Sequence, residues 1–258
     1  MGGESATRTA PRSGGGTGTR PAGSRTGQRL SGLAVALGIV LFLGGFAWGA
    51  LLYRPFTVPT SSMSPTIAAG DRVLGQRVDA DEIRRGDVVV FTDKEWVTGA
   101  LVVKRVVAVG GDTVACCTNG KLTVNGKEID EPYLKGGVAE DKTIPTVKVP
   151  EGRLFLLGDE RQGSLDSTAH LTDAAQGTVA RSAVEARVDA VVWPWKGMLE
   201  RPTGFGKLGA ISEQGPLSTI LVLIVVGAVL VLGGGAYGPV AKLFGGRRGV
   251  RTEPAGAR

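Results

Sequence analysis

The stretch Ala100–Val114, ALVVKRVVAVGGDTV, carries a β-branched run closed by two glycines. Valines at 102, 103, 106, 107 and 109 favour extended backbone, and Gly110-Gly111 interrupts it. Side chains in a strand alternate between faces, so Lys104 and Arg105 must face opposite sides of one sheet. Leu101 and the valines give Lys104 an apolar setting, which disfavours an ammonium. A lysine snorkelling from an edge strand, with Arg105 simply facing water, would carry the same pattern.

The same grammar extends from Pro55 to Trp195. RVLGQRV, GDVVVF, KLTVNGKEI, TVKV, GRLFLL and ARVDAVVW are short apolar runs separated by Gly, Asp, Asn or Pro. Asn125-Gly126, inside VNGK at 124–127, suits a type I′ hairpin turn. No amphipathic helical repeat of useful length interrupts them. The expected fold class is mainly β, an antiparallel β-sheet or partial barrel. Trp193 and Trp195, flanking Pro194, fit either core aromatics or anchors at a lipid headgroup layer.

Two apolar runs bracket this region. LSGLAVALGIVLFLGGFAWGALLY spans 24 uncharged residues between Arg29 and Arg54, and QGPLSTILVLIVVGAVLVLGGGAYGPVA lies between Glu213 and Lys242. Each is long enough to cross a hydrocarbon core, which needs about 20 residues of helix. The first exceeds the roughly 7 to 15 residues of a signal-peptide apolar region and no A-x-A-like site closes it before Arg54, which favours an uncleaved anchor. The net charge of +6 belongs to the ends: residues 1–29 and 242–258 carry 10 Lys/Arg against 2 Asp/Glu, and residues 54–215 carry 20 against 22. Basic flanks stay on the cytoplasmic side, so both termini are expected inside and the middle segment outside. The excess reads as a topology signal, and no nucleic-acid partner is expected. The expected organisation is a disordered cytoplasmic tail over 1–29, a transmembrane helix over 30–53, an extracytoplasmic β domain over 54–212, a second transmembrane helix over 216–241 and a basic cytoplasmic tail over 242–258.

Several chemistries drop out. Cys116 and Cys117 are the two cysteines and His170 the one histidine, too few soft donors for a zinc site, so no metal and no cofactor is expected. Adjacent cysteines close only a strained ring. A Ser-His-Asp hydrolase would have to use His170, which lies in a Gly/Ser/Thr-rich stretch, and no G-x-S-x-G elbow exists. Two G-x-G-x-x-G matches, Gly204–Gly209 and Gly233–Gly238, lack the strand and helix of a dinucleotide site.

A serine activated by a lysine remains. VPTSSMSPTI, Val58–Ile67, places Thr60, Ser61 and Ser62 between Pro59 and Pro65, directly after the first apolar run. Two fixed φ angles stiffen such an elbow and can present a hydroxyl at a set angle. A serine needs a base to take its proton, and a lysine serves once burial favours its neutral form.

In these residues the chain resembles the bacterial type I signal peptidases, membrane-bound serine/lysine endopeptidases. SSMSPT is similar to their nucleophile box. GDRVL, RRGDVVVF, VVKRVVAVGGDTV, LTVNGKEIDEPYL and VPEGRLFLLGDERQGSLDS are similar to the remaining boxes in the same order, over roughly Tyr53 to Val192. The resemblance implies Ser62 as nucleophile and Lys104 as general base. It implies an oxyanion hole of the Thr60 hydroxyl and the Ser62 N–H, Ser164 as the group orienting the lysine, and Asp166 with Arg105 as a supporting acid-base pair. It further implies preprotein substrates bearing signal peptides, cleaved through an acyl-enzyme at the outer face of a bacterial cytoplasmic membrane, with the lipid bilayer as the other partner. Glu160 stands where the family shows Asn, and Thr168 where it shows Arg. The competing readings are a related Ser/Lys peptidase with a dedicated substrate, and an inactive membrane-anchored β module that binds exported proteins.

Overall fold

The computed structural model describes residues 25–96, 100–135 and 143–245. The expected tails lie outside these, apart from 25–29 and 242–245, which continue the two helices. Helix α1 runs Arg25–Leu52 and α2 Leu217–Gly245. Within them Gly27–Leu52 and Leu217–Tyr237 are long and apolar enough to cross a membrane. Large apolar side chains along both remain exposed, among them Leu33, Val40, Val229 and Leu232, as lipid-facing surfaces require.

The chain divides into two compact units, one of residues 1–42 with 225–258 and the other of residues 43–224. In the first, the helices approach through small residues. Ser31 donates to the Gly234 carbonyl at 2.7 Å, and a Cβ on Gly38 would meet the Gly227 carbonyl at 2.8 Å. Small residues are what allow apolar helices to pack closely in lipid.

The second unit holds the strands, all antiparallel. One sheet contains β1 (Tyr53–Thr57), β2 (Arg72–Gln76), β3 (Val88–Phe91), β4 (Val102–Val109), β9 (Arg153–Leu157), β10 (Thr178–Ala180), β11 (Val184–Trp193) and β12 (Trp195–Met198). Its order is β1-β2-β11-β3-β4-β9-β10, with β12 also paired to β11. The other contains β5 (Thr113–Thr118), β6 (Lys121–Val124), β7 (Lys127–Glu128) and β8 (Ile144–Lys148), in the order β7-β6-β5-β8. The antiparallel β class and its two flanking apolar helices match the sequence expectation. Asn125 and Gly126 have φ of 53° and 73°, the positive pair a type I′ turn demands. Cys116 and Cys117 are joined on β5. Trp193 and Trp195 are both exposed on the β11–β12 hairpin, so neither is a core aromatic.

Burial follows strand alternation. Lys104 pairs with Val89, and Arg105 with Val88. Val89 packs with Phe91, Val106, Leu154 and Leu156, whereas Val88 packs with Val58, Met63, Ile67, Val90 and Val103. The two faces of β3–β4 therefore each cover an apolar cluster, and the lysine and arginine are carried to opposite ones. A further cluster joins β4 and β9 to the smaller sheet through Val107, Phe155, Leu157, Val114, Leu122, Val124 and Phe205.

Candidate active site

The segment Val58–Ile67 leaves β1 and turns back on itself. Val58 N–H donates to the Asp71 carbonyl at 2.9 Å and Gly70 N–H to the Val58 carbonyl at 2.8 Å, closing the base of the loop. Within it Ser64 N–H reaches the Ser61 carbonyl and Ile67 N–H the Met63 carbonyl, both at 2.9 Å. Val58, Met63 and Ile67 are buried against β2, β3 and β11. Burying each such side chain is worth about 1.5–3 kcal/mol, so apolar anchors, besides the two prolines, fix the turn that carries Ser62.

Ser62 and Lys104 come together. The Lys104 Nζ lies 2.6 Å from the Ser62 Oγ, and the two residues are 3% and 8% exposed, lysine first. The Thr60 hydroxyl also donates to the Ser62 Oγ, at 3.2 Å. The Ser62 carbonyl accepts from the Glu160 N–H at 3.1 Å. That contact is made by backbone, so a Glu in place of the family's Asn leaves it intact. Ser164 is buried on the same loop, where its hydroxyl and the Ser62 carbonyl both crowd Gly158.

A family model described as signal peptidase, peptidase S26, matches residues 30–193. The chain belongs to this family. It is 30% identical to the signal peptidase I of Mycobacterium tuberculosis (strain ATCC 25618 / H37Rv) over 245 aligned residues, covering 76% of this chain and 80% of that one. It is 36% identical to the signal peptidase I of Bacillus licheniformis over 128 residues, covering 46% of this chain and 67% of that one. A crystal structure of a signal peptidase I from Enterococcus faecalis aligns with a TM-score of 0.33 at 28% identity, over 41% of this chain and 95% of that chain. The protein is a peptidase of the signal-peptide-processing class.

Around the Ser62–Lys104 pair of this peptidase the support differs in one respect from the expected Asp166–Arg105 pairing. The Arg105 guanidinium forks onto Asp159, through Nε at 2.8 Å and Nη2 at 2.7 Å, and Nη1 donates to the Gly86 carbonyl at 2.9 Å. Burial alone would lower the guanidinium, but the Asp159 carboxylate outweighs it and holds Arg105 above the ordinary arginine range. The Tyr133 ring covers the guanidinium, 3.8 Å from centroid to Cζ.

Asp166 is fully buried and accepts from the Gly158 N–H at 3.1 Å. Its other oxygen takes the Thr168 N–H at 3.1 Å and the Thr168 hydroxyl at 2.7 Å. Thr168, where the family shows Arg, thus gives this carboxylate two donors, and Asp166 in accepting them caps the short turn Ser167–His170. His170 is remote chemistry: its ring stacks on Trp96 at 4.6 Å and its Nδ1 meets Asp173 at 2.7 Å.

Sequence reasoning missed Asp159 and the anchors Met63 and Ile67. The acid lay in plain view inside the GDERQGSLDS box, but nothing local says which carboxylate an arginine on another strand will reach. The apolar pair was legible as an i, i+4 spacing across the elbow.

Proposed function

We propose that the chain is a signal peptidase I that removes N-terminal signal peptides from exported preproteins at the outer face of the cytoplasmic membrane. Ser62 is the nucleophile and Lys104 its general base. The single observation that carries this reading is the 2.6 Å contact between Lys104 Nζ and Ser62 Oγ at a site where both are buried. Burial favours the uncharged amine, which alone can accept the hydroxyl proton.

In the proposed reaction the Ser62 Oγ attacks the scissile carbonyl as its proton passes to Lys104, and the resulting ammonium protonates the leaving amine. The acyl-enzyme is then opened by a water that Lys104 activates in turn. The developing oxyanion is taken by the Ser62 N–H and the Thr60 hydroxyl, a donor class worth about 3–4 kcal/mol each. Ser164 orients the lysine; Asp166, held by Thr168 and Gly158, and Arg105, held by Asp159, brace the loop and strand behind it.

Ladder pairing suggests where the substrate lies. β3 pairs with β4 over Val102–Arg105, whereas β9 pairs with it only from Arg105 onward. Val102 and Val103 have no ladder partner on the side away from β3 among the described residues, and the extended peptide is proposed to add to that edge by backbone pairing. The apolar helices and basic ends support a two-span chain with both termini cytoplasmic. The exposed Trp193 and Trp195 suit the headgroup layer.

The test is cleavage of a preprotein bearing an A-x-A site by the detergent-solubilised full chain. Wild type should cut, and Ser62→Ala and Lys104→Ala should each lose at least about a thousandfold in rate. Either variant cutting as fast as wild type would refute the assignment.

A further inference from the structure

We propose that Glu131 and Thr66 are positioning residues for Ser62, with Glu131 acting through Arg161 on the loop that holds the nucleophile turn. The proposal rests on the reading of Ser62 as nucleophile. Among the described residues, two hydrogen bonds join the nucleophile turn to the loop Gly158–Arg161. One is the Glu160 N–H on the Ser62 carbonyl, at 3.1 Å. The other is the Thr66 hydroxyl on Asp159 Oδ2, at 2.5 Å. Thr66 lies four residues after Ser62, so the pair clamps both sides of the turn.

The loop is itself held from the other direction. Arg161 closes it by donating from Nε to the Gly158 carbonyl at 3.0 Å. Its other nitrogens fork onto Glu131, at 3.1 and 2.6 Å. Glu131 also accepts from the Tyr133 hydroxyl at 2.5 Å, and the Tyr133 ring lies on the same Arg105 guanidinium that forks onto Asp159. Burial, then the Glu131 charge, pushes the Tyr133 phenol well above its ordinary range, so it remains a donor. Glu131, Arg161, Asp159 and Arg105 are all buried.

Glu131 and Tyr133 follow β7, so they come from the segment leaving the smaller sheet, which places no group against the Ser62 Oγ among the described residues. Their geometry gives that sheet a part in the reaction: it fixes the loop that fixes the serine. Removing one partner of a buried pair leaves the other charge uncompensated, so the loop would shift rather than merely loosen. The peptide edge at Val102 and Val103 is not touched by this chain of contacts. A loss should therefore appear in turnover and not in substrate affinity.

The experiment measures kcat and KM of the detergent-solubilised full chain on an A-x-A peptide for Thr66→Val, Thr66→Ser, Glu131→Gln and the Thr66→Val/Glu131→Gln double variant, with unfolding followed alongside. Thr66→Val should lower kcat roughly tenfold with KM within about twofold, and Thr66→Ser should restore it. Glu131→Gln should lower kcat by roughly ten- to a hundredfold, and the double variant by less than the product of the two. A folded Thr66→Val with wild-type kcat, a loss confined to KM, or losses that multiply would overturn the proposal. Should Glu131→Gln not fold, the Thr66 pair decides alone. Cleavage that survives in Ser62→Ala would instead remove the nucleophile assignment on which the proposal rests.

Discussion

Gly158 stands where two atoms of the proposed site press on the backbone: a Cβ there would meet both the Ser164 hydroxyl and the Ser62 carbonyl well inside van der Waals contact. Its N–H also donates to Asp166 and its carbonyl accepts from Arg161, so it has little room to move aside. Gly158→Ala should therefore displace Ser62 or Ser164 while leaving the neighbouring core residues Leu154–Leu157 in place. The expected result is a loss of roughly a hundredfold or more in kcat with little change in the unfolding midpoint, read by peptide cleavage and circular dichroism melts. An active Gly158→Ala enzyme would mean that the loop is not held against the serine. Thr168 makes the complementary point. The family's arginine is missing, yet Asp166 keeps two donors from Thr168 and one from Gly158, so the departure changes how the carboxylate is satisfied and not whether it is.

The β4–β5 corner is the element that holds the active strand in register with the smaller sheet. Asp112 there takes a fork from Arg85 at 2.7 and 2.6 Å, and further hydrogen bonds from the Val109 N–H and the Asn125 amide, both at 2.8 Å. Burial alone would raise the Asp112 carboxyl, but these donors, Arg85 foremost, outweigh it and hold it below the ordinary carboxylate range. Folding then favours the ionised form. Its stabilisation is complete above the unfolded value of about 3.9 and is lost as pH falls toward the lowered folded value. Asp112→Asn should cost about 1–3 kcal/mol at neutral pH and should show a weaker loss of stability on acidification than wild type, measured by denaturant unfolding at both pH values. Equal stability of the two proteins at neutral pH would contradict this. Much of β4 was legible beforehand. Alternation in VVKRVV separated Lys104 from Arg105, and the observed register with Val89 and Val88 does the same. The partner of Arg105 was not legible, because Asp159 and Asp166 lie seven residues apart on one loop. In the folded chain Asp159 takes the guanidinium, while Asp166 accepts from Gly158 and Thr168. The elbow was read through its prolines, whereas burial of Met63 and Ile67 depends on β2, β3 and β11 assembling beneath it.

At the scale of the whole molecule, the two apolar helices were legible because length and apolarity over a long window need no tertiary information. Residues that meet only after folding were harder: KLTVNGKEI and TVKV of the smaller sheet were read as runs, whereas Thr113–Thr118 was not, and neither was that sheet's link to the loop beside Ser62. Membrane confinement suits a peptidase whose substrates emerge tethered in the same bilayer, since it raises their effective concentration without further contacts. In the proposed chemistry a single proton passes between two buried side chains, Ser62 and Lys104. Its most direct test is the pH dependence of kcat/KM on an A-x-A peptide, recorded for the wild-type chain and for Lys104→Ala. The expected wild-type profile rises with pH as one group loses its proton, and that limb is absent from the residual rate of Lys104→Ala. An acid-favoured wild-type profile, or the same rising limb in Lys104→Ala, would show that Lys104 is not the base.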